Sequence, residues 1–263
     1  MPQEPTPPLL DLKSICVMRG RKTVLEHVNL RIGADEHVAI LGPNGCGKST
    51  LIKTITRECY PIAQDGSSMT ILGDDSWDVF SLRKMLGIVS NDWMQLCTGE
   101  ATGIEIVLSG FFSSTSIFSN HEVTAPQQEQ AAIALQRLGA THLAARAVVE
   151  MSSGEARRVL IARALVHNPR ALLFDEPCNS LDFAAQQIVR QTMRTLAQAG
   201  VGIILVTHEL ADIVPEIDRV VLMNRGKIVA DGPKPELLVE NRLSELFGVA
   251  VGIERIDGHF HLR

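Results

Sequence analysis

The chain has 263 residues, 45% apolar and 21% charged, an ordinary balance for a soluble globular protein with one domain and a subdomain. Its 30 acidic and 25 basic residues leave a net charge of -5, which offers no attraction for phosphate backbones, so no nucleic-acid partner is expected. No apolar run approaches the ~20 residues of a membrane-spanning helix, and cysteines 16, 46, 59, 97 and 178 are scattered without CxxC pairing, against a disulfide framework or a zinc site.

The Pro-rich start, residues 1–8, has no basic n-region and reads as a disordered leader. Residues 9–32 read as short strands, with Leu25, Val28, Leu30 and Ile32 partly alternating with polar residues and Arg19-Gly20-Arg21 as a turn. The apolar run of residues 37–41, stopped by Gly42, suits a buried parallel strand, and residues 48–58 have helical character. Short strands fit at 69–72 and 86–90. From about 92 to 167 the character changes to helices, at 103–108, 126–138 and 155–167, with a Ser-rich stretch at 113–119. Apolar runs return at 171–174, 202–206 and 219–223, with helices expected at 184–199 and 209–213. A hairpin over 219–231 turns at Asn224-Arg225-Gly226. Strands alternating with helices predict an α/β fold with a doubly wound parallel sheet.

Gly42-Pro43-Asn44-Gly45-Cys46-Gly47-Lys48-Ser49-Thr50 fits the phosphate-binding loop G-x-x-x-x-G-K-[ST], with an apolar strand before it and a helix after it. Its glycines let backbone N–H groups curl toward phosphate oxygens, and the new helix adds its positive N-terminal dipole. Lys48 is expected at the β/γ-phosphates of ATP and the Ser49 hydroxyl on Mg²⁺. Cys46 beside a helix start is expected to have thiolate character, so thiol reagents should inhibit. Asp175 and Glu176 end an apolar run, and paired carboxylates there are costly unless a cation is present. With the upstream loop, Asp175 fits a Mg²⁺-holding acid and Glu176 the group that orients or deprotonates water.

Met151-Ser152-Ser153-Gly154-Glu155 precedes a helix and resembles the LSGGQ signature of ABC (ATP-binding cassette) ATPases. It lies about twenty residues before the acid pair. Residues 179–182, ending in Asp182, resemble the family's D-loop, and Val206-Thr207-His208 resembles its switch histidine. The resemblance spans residues 11–240. It implies a P-loop NTPase (RecA-like) parallel-sheet core, an N-terminal antiparallel β subdomain and an inserted α-helical subdomain at about 92–167. The cassette would cover 9–240, and 241–263 would be a C-terminal extension. It also implies Mg²⁺-dependent ATP hydrolysis by head-to-tail pairs of cassettes. By that likeness Ser152, Ser153, Gly154 and Glu155 act on the partner cassette's nucleotide, and His208 contacts the γ-phosphate.

Three positions depart from the family's pattern. An adenine-stacking aromatic is missing near the chain start, where Met18 or the Arg19 guanidinium stands instead; losing base stacking costs about 1–3 kcal/mol. Asn91 aligns with the Q-loop glutamine as a metal ligand one methylene shorter, with Gln95 as a backup. The signature carries Met151, Ser153 and Glu155 for Leu, Gly and Gln, and the added carboxylate is expected to point away from phosphate. The family resemblance implies an ATPase subunit on the cytoplasmic face of the membrane, paired with a second cassette and a transmembrane permease subunit. The tail from Leu243 through Gly258 is similar to importer ATPases for iron-siderophore or cobalamin uptake. The alternative is a soluble single cassette acting on a cytosolic target.

Overall fold

The computed structural model describes residues 7–90, 92, 96, 100–256 and 258–263. Asn91 and Gln95 lie outside the described residues, as do residues 1–6 of the expected leader. Pro7, also assigned to the leader, stands against Gly73: a Cβ added to that glycine would lie 2.9 Å from the proline's own Cβ.

Strands β1 (Leu10–Arg19) and β2 (Lys22–Ile32) pair antiparallel, and β4 (Ser68–Ile71) joins the free edge of β1. Leu10, Leu12, Ile15 and Val17 face inward with Leu25, Val28, Leu30 and Ile32, the alternation expected of a sheet with one wet face. The main sheet has six strands among the described residues, in the order β5 (Leu86–Ser90), β6 (Ala171–Asp175), β7 (Gly202–Thr207), β3 (His37–Leu41), β8 (Arg219–Asn224) and β9 (Lys227–Pro233). The first five are parallel and almost wholly apolar, because both of their faces are covered. β9 returns antiparallel through the turn Arg225-Gly226, where both residues have positive φ (45° and 79°), as a two-residue primed hairpin turn requires.

On one face of the main sheet α1 (Lys48–Ile55) buries Leu51, Ile52 and Ile55 in a cluster shared with the antiparallel sheet. The other face packs α5 (Ser153–Leu165) and α6 (Phe183–Gln198), and α3 (Gly103–Ser109) and α4 (Ala125–Arg137) pack in turn on α5. α2 (Val79–Met85) leads directly into β5. Sequence marks these helix starts plainly: Thr102 with Glu105, Thr124 with Gln127 and Ser152 with Glu155 each close a capping box. The helix expected at 209–213 is a single 3₁₀ turn, Leu210–Asp212. The Asp212 side chain turns inward to a buried arginine, and Pro215 has no N–H with which to continue a helix. After the short α7 (Lys234–Leu237), α8 (Glu240–Phe247) and the hairpin β10 (Ile253–Ile256) and β11 (His259–Leu262) follow. Phe260 is buried in the same cluster as the core helices, and β11 packs on the 210–212 turn.

Strand register positions the site. Leu41 pairs with Thr207, and Asp175 with Val206, so three strand ends finish within a residue of one another. The segments that leave them carry Gly42, Glu176 and His208. Open α/β sheets place ligands at this carboxyl edge.

Candidate functional site

The loop at 42–50 is shaped by backbone rather than side chains. Gly45 and Gly47 have φ of 76° and 111°, values L side chains rarely adopt. At Gly42 an added Cβ would sit 2.2 Å from the Met223 carbonyl oxygen, so β8 presses directly on the loop. Gly226, in the β8–β9 turn, donates its N–H to the Cys46 carbonyl at 2.7 Å, and its own Cβ would meet the Val24 carbonyl at 2.2 Å. This brace of Gly226 and Met223 is not legible in the sequence, where the turn reads only as a hairpin. Asn44, Gly45 and Ser49 are exposed, Pro43 is half-buried, and Thr50 is buried.

The structure corrects one expectation here. The Cys46 thiol is 4% exposed, packed among Leu25, Ile40 and Met223, and burial raises its pKa despite the Lys48 charge. Cys46 shapes the loop from inside, and its burial works against the thiolate expected at this helix start.

Lys48 folds back over the loop. Its Nζ donates to the Gly42 carbonyl at 2.7 Å and the Pro43 carbonyl at 3.2 Å, and lies 3.5 Å from Glu176 Oε1. The other carboxylate oxygen of Glu176 meets His208 Nδ1 at 2.5 Å. Glu176 itself has φ of 50° and hydrogen-bonds through its N–H to the Val206 carbonyl, which tips its side chain from β6 toward the strand bearing His208. Lysine, glutamate and histidine, far apart in the chain, thus form one contiguous chain of contacts.

Asp175 is different. Burial, and then the neighbouring Glu176 carboxylate, push its pKa up to about 6. Its Oδ1 is buried and has no hydrogen-bond partner among the described residues. An orphaned buried carboxylate oxygen at the carboxyl edge of the sheet fits a cation site of the oxygen-donor kind, and Ser49 of the phosphate loop is exposed.

Behind His208 lies a network that sequence reasoning missed. Asp212 Oδ1 accepts from Arg190 Nε and Nη2 at 3.0 and 2.8 Å, and Asp212 Oδ2 accepts from the Thr207 hydroxyl at 3.2 Å. Thr207 Oγ1 in turn accepts the Glu209 N–H at 3.0 Å. This buried ion pair fixes the turn that carries His208. A cavity of about 230 Å³ opens beside it, lined in part by Glu176, Asn179, Ser180 and His208.

In the signature, the Ser152 hydroxyl accepts the Glu155 N–H at 3.3 Å and Glu155 Oε2 accepts the Ser152 N–H at 2.8 Å. That N–H holds the Glu155 carboxyl below the usual range. Arg146 Nη1 pairs with Glu155 Oε1 at 3.2 Å, so both carboxylate oxygens are engaged within the chain. Ser153 is exposed at the helix start. Gly154 is required by packing: a Cβ there would lie 2.8 Å from that of Ala185 on α6. Asp182 caps α6 by accepting the Ala185 N–H at 2.8 Å. Met18 is 45% exposed beside the two-residue β1–β2 turn, with Arg19 also exposed.

A parallel sheet with a glycine-rich loop and acids at its carboxyl edge, a helical layer and an antiparallel N-terminal sheet define a P-loop nucleotide-binding ATPase. Residues 25–179 match the ABC transporter family model. The hemin import ATP-binding protein HmuV of Hahella chejuensis is 34% identical over 90% of this chain and 91% of its own length. In structure, cbiO1 from Clostridium perfringens, part of the ABC transporter complex cbiONQ, covers 91% of this chain and 94% of its own at TM-score 0.75 and 26% identity. MJ1267, an ATP-binding cassette of an ABC transporter in its ADP conformation, shares the fold at TM-score 0.80 and 24% identity, over 92% of this chain and 99% of its own. The chain belongs to the ABC transporter family, as an ATP-binding and ATP-hydrolysing subunit.

Proposed function

We propose that the chain is one of two cassettes that dock on the cytoplasmic side of a transmembrane permease and energise import of a metal chelate of the hemin type. Its likeness to HmuV over nine-tenths of both chains supports the cargo class and the direction. The place of cbiO1 within a larger transporter complex supports a permease partner. Among the described residues no helix is long and apolar enough to cross a membrane, which leaves the membrane path to that partner. In this reading residues 9–240 form the ATPase domain, with its helical subdomain at about 92–167, and 241–263 a C-terminal extension.

The contact chain Lys48–Glu176–His208 carries the mechanism. On binding, the P-loop N–H groups and Lys48 take the phosphates of ATP. Lys48 then exchanges the Gly42 and Pro43 carbonyls and the Glu176 carboxylate for charged phosphate oxygens. Glu176, released from the lysine, is left facing water as the general base, and His208 holds its orientation while reaching the γ-phosphate. Mg²⁺ would be held by Ser49 and Asp175, with Asn91 as a further ligand, and would neutralise charge on the phosphates. The orphaned Oδ1 of Asp175 supports that assignment. Met18 or Arg19 covers the base, and Ser152, Ser153, Gly154 and Glu155 meet the nucleotide of the second cassette, with Asp182 at the shared boundary.

Glu176→Gln is the deciding experiment. The variant should bind ATP with Mg²⁺ and accumulate as a dimer on size-exclusion chromatography, while turnover falls by roughly 10²–10⁴-fold. Turnover near that of the wild type removes Glu176 from the role of base. Lys48→Ala should lose about a hundredfold in nucleotide affinity, the worth of one or two charge-assisted hydrogen bonds.

A further inference from the structure

We propose that Arg146 is a positioning residue for the signature, one that neutralises the carboxylate carried by Glu155 and ties the signature to the start of α3. This rests on the reading above, in which the signature meets the partner cassette's triphosphate.

A glutamate in the first turn of α5 satisfies its own helix, but it sets a negative charge beside a surface assigned to phosphate. Arg146 answers both requirements. Nη1 pairs with Glu155 Oε1 at 3.2 Å, and Nη2 donates to the Glu150 carbonyl just before the signature. The guanidinium thus spans the segment from Glu150 to Glu155, a fork that a lysine cannot reproduce. Arg158, one turn along α5, is the other cation whose charge acts on Glu155.

The backbone of Arg146 is fixed independently. Its carbonyl accepts the Gly103 N–H at 3.0 Å, the Ala144 carbonyl accepts the Ile104 N–H at 2.9 Å, and Val148 donates to the Ala101 carbonyl at 2.9 Å. Thr102 and Ala147 form a bridge between the same two segments. Residues 101–104 and 144–148 are therefore tied to each other by backbone hydrogen bonds, and Arg146 links them to the signature helix. Gly103 has no room for a side chain, since a Cβ would lie 2.3 Å from the Leu143 carbonyl oxygen. The joint is close-packed.

A half-exposed ion pair contributes little to folding, so a structural role and a positioning role give different results. In the full-length protein, Arg146→Gln should lower turnover at saturating ATP roughly three- to tenfold, the scale of one charge near a helix terminus. Nucleotide affinity at the chain's own P-loop and the melting temperature should stay close to wild type. In a Glu176→Gln background, ATP-driven dimerisation should need correspondingly more ATP. Adding Glu155→Gln should remove the part of the loss caused by the unneutralised carboxylate, so that Arg146→Gln/Glu155→Gln turns over faster than Arg146→Gln. An unchanged turnover in Arg146→Gln, or a loss that Glu155→Gln does not diminish, overturns the proposal. Should the wild type itself show no ATP turnover, the underlying reading fails too; an active wild type beside an insensitive Arg146→Gln sinks this inference alone.

Discussion

The P-loop and the signature are both glycine-bearing turns that open a helix, yet they are held in opposite ways. α5 begins with a complete capping box, and Ser152 and Glu155 consume each other's backbone donors. α1 begins at Gly47 with no side-chain cap at all. Its shape is imposed from outside, by the Met223 carbonyl and the Gly226 N–H. A turn that is to grip phosphate keeps its N–H groups uncommitted, so the rest of the fold must hold it. The signature turn, proposed to meet the second cassette's nucleotide, is stabilised locally instead. Rigidity comes from packing in the first case and from hydrogen bonds within a few residues in the second.

That contrast can be broken at graded cost. The largest effect is expected at the external support of the catalytic edge. Asp212→Ala leaves Arg190 charged and buried at 7% exposure, a loss of about 3–5 kcal/mol of stability by urea unfolding. Turnover should fall further than the folded fraction, because the His208 turn loses its anchor.

Asp175→Asn should act in the opposite sense. A carboxyl raised to about 6 from its ordinary 3.8 contributes stability that is present at low pH and lost as pH rises through 6. In the protein without nucleotide, wild-type stability should therefore decline between pH 4 and 6 by at most about 3 kcal/mol, by the usual conversion of pKa shift to free energy. The variant should lack that decline while losing Mg²⁺-dependent tightening of nucleotide binding. A wild type whose stability is flat over this window argues against a buried, unpartnered Asp175.

Gly42→Ala forces a Cβ against the β8 backbone and should cost about 1–3 kcal/mol, with loss of ATP binding measured by titration. Ser152→Ala removes a local cap and should cost about 1 kcal/mol, with ATP affinity of the isolated chain unaltered. If Ser152→Ala proved as damaging to the chain's own nucleotide binding as Gly42→Ala, the distinction between an externally and an internally held turn would not stand.

Much of the fold was legible because its signals are local. The apolar runs that became β3, β6, β7 and β8 are buried on two faces and so read as unbroken hydrophobic stretches. The capping boxes at Ser152 and Thr124 span four residues each, and the Arg225-Gly226 turn needs only two. The 209–213 segment misled because its apolar spacing suits a helix, while a distant arginine on α6 draws Asp212 out of one. Cys46 misled similarly: a helix start favours a thiolate, but burial under β8 outweighs it.

Sequence by itself determined most of the sheet strands and the longer helices, the phosphate loop, the acid pair and the order of the motifs, since each is written within a short stretch; α2, α8 and the β10–β11 hairpin it did not mark. Tertiary structure alone decided that Lys48, Glu176 and His208 touch, that Gly226 props the loop, and that Arg146 answers the charge on Glu155. Those contacts depend on the register of parallel strands and on which helix packs where. Both are set by burying apolar surface across the whole chain, which no short window of residues encodes.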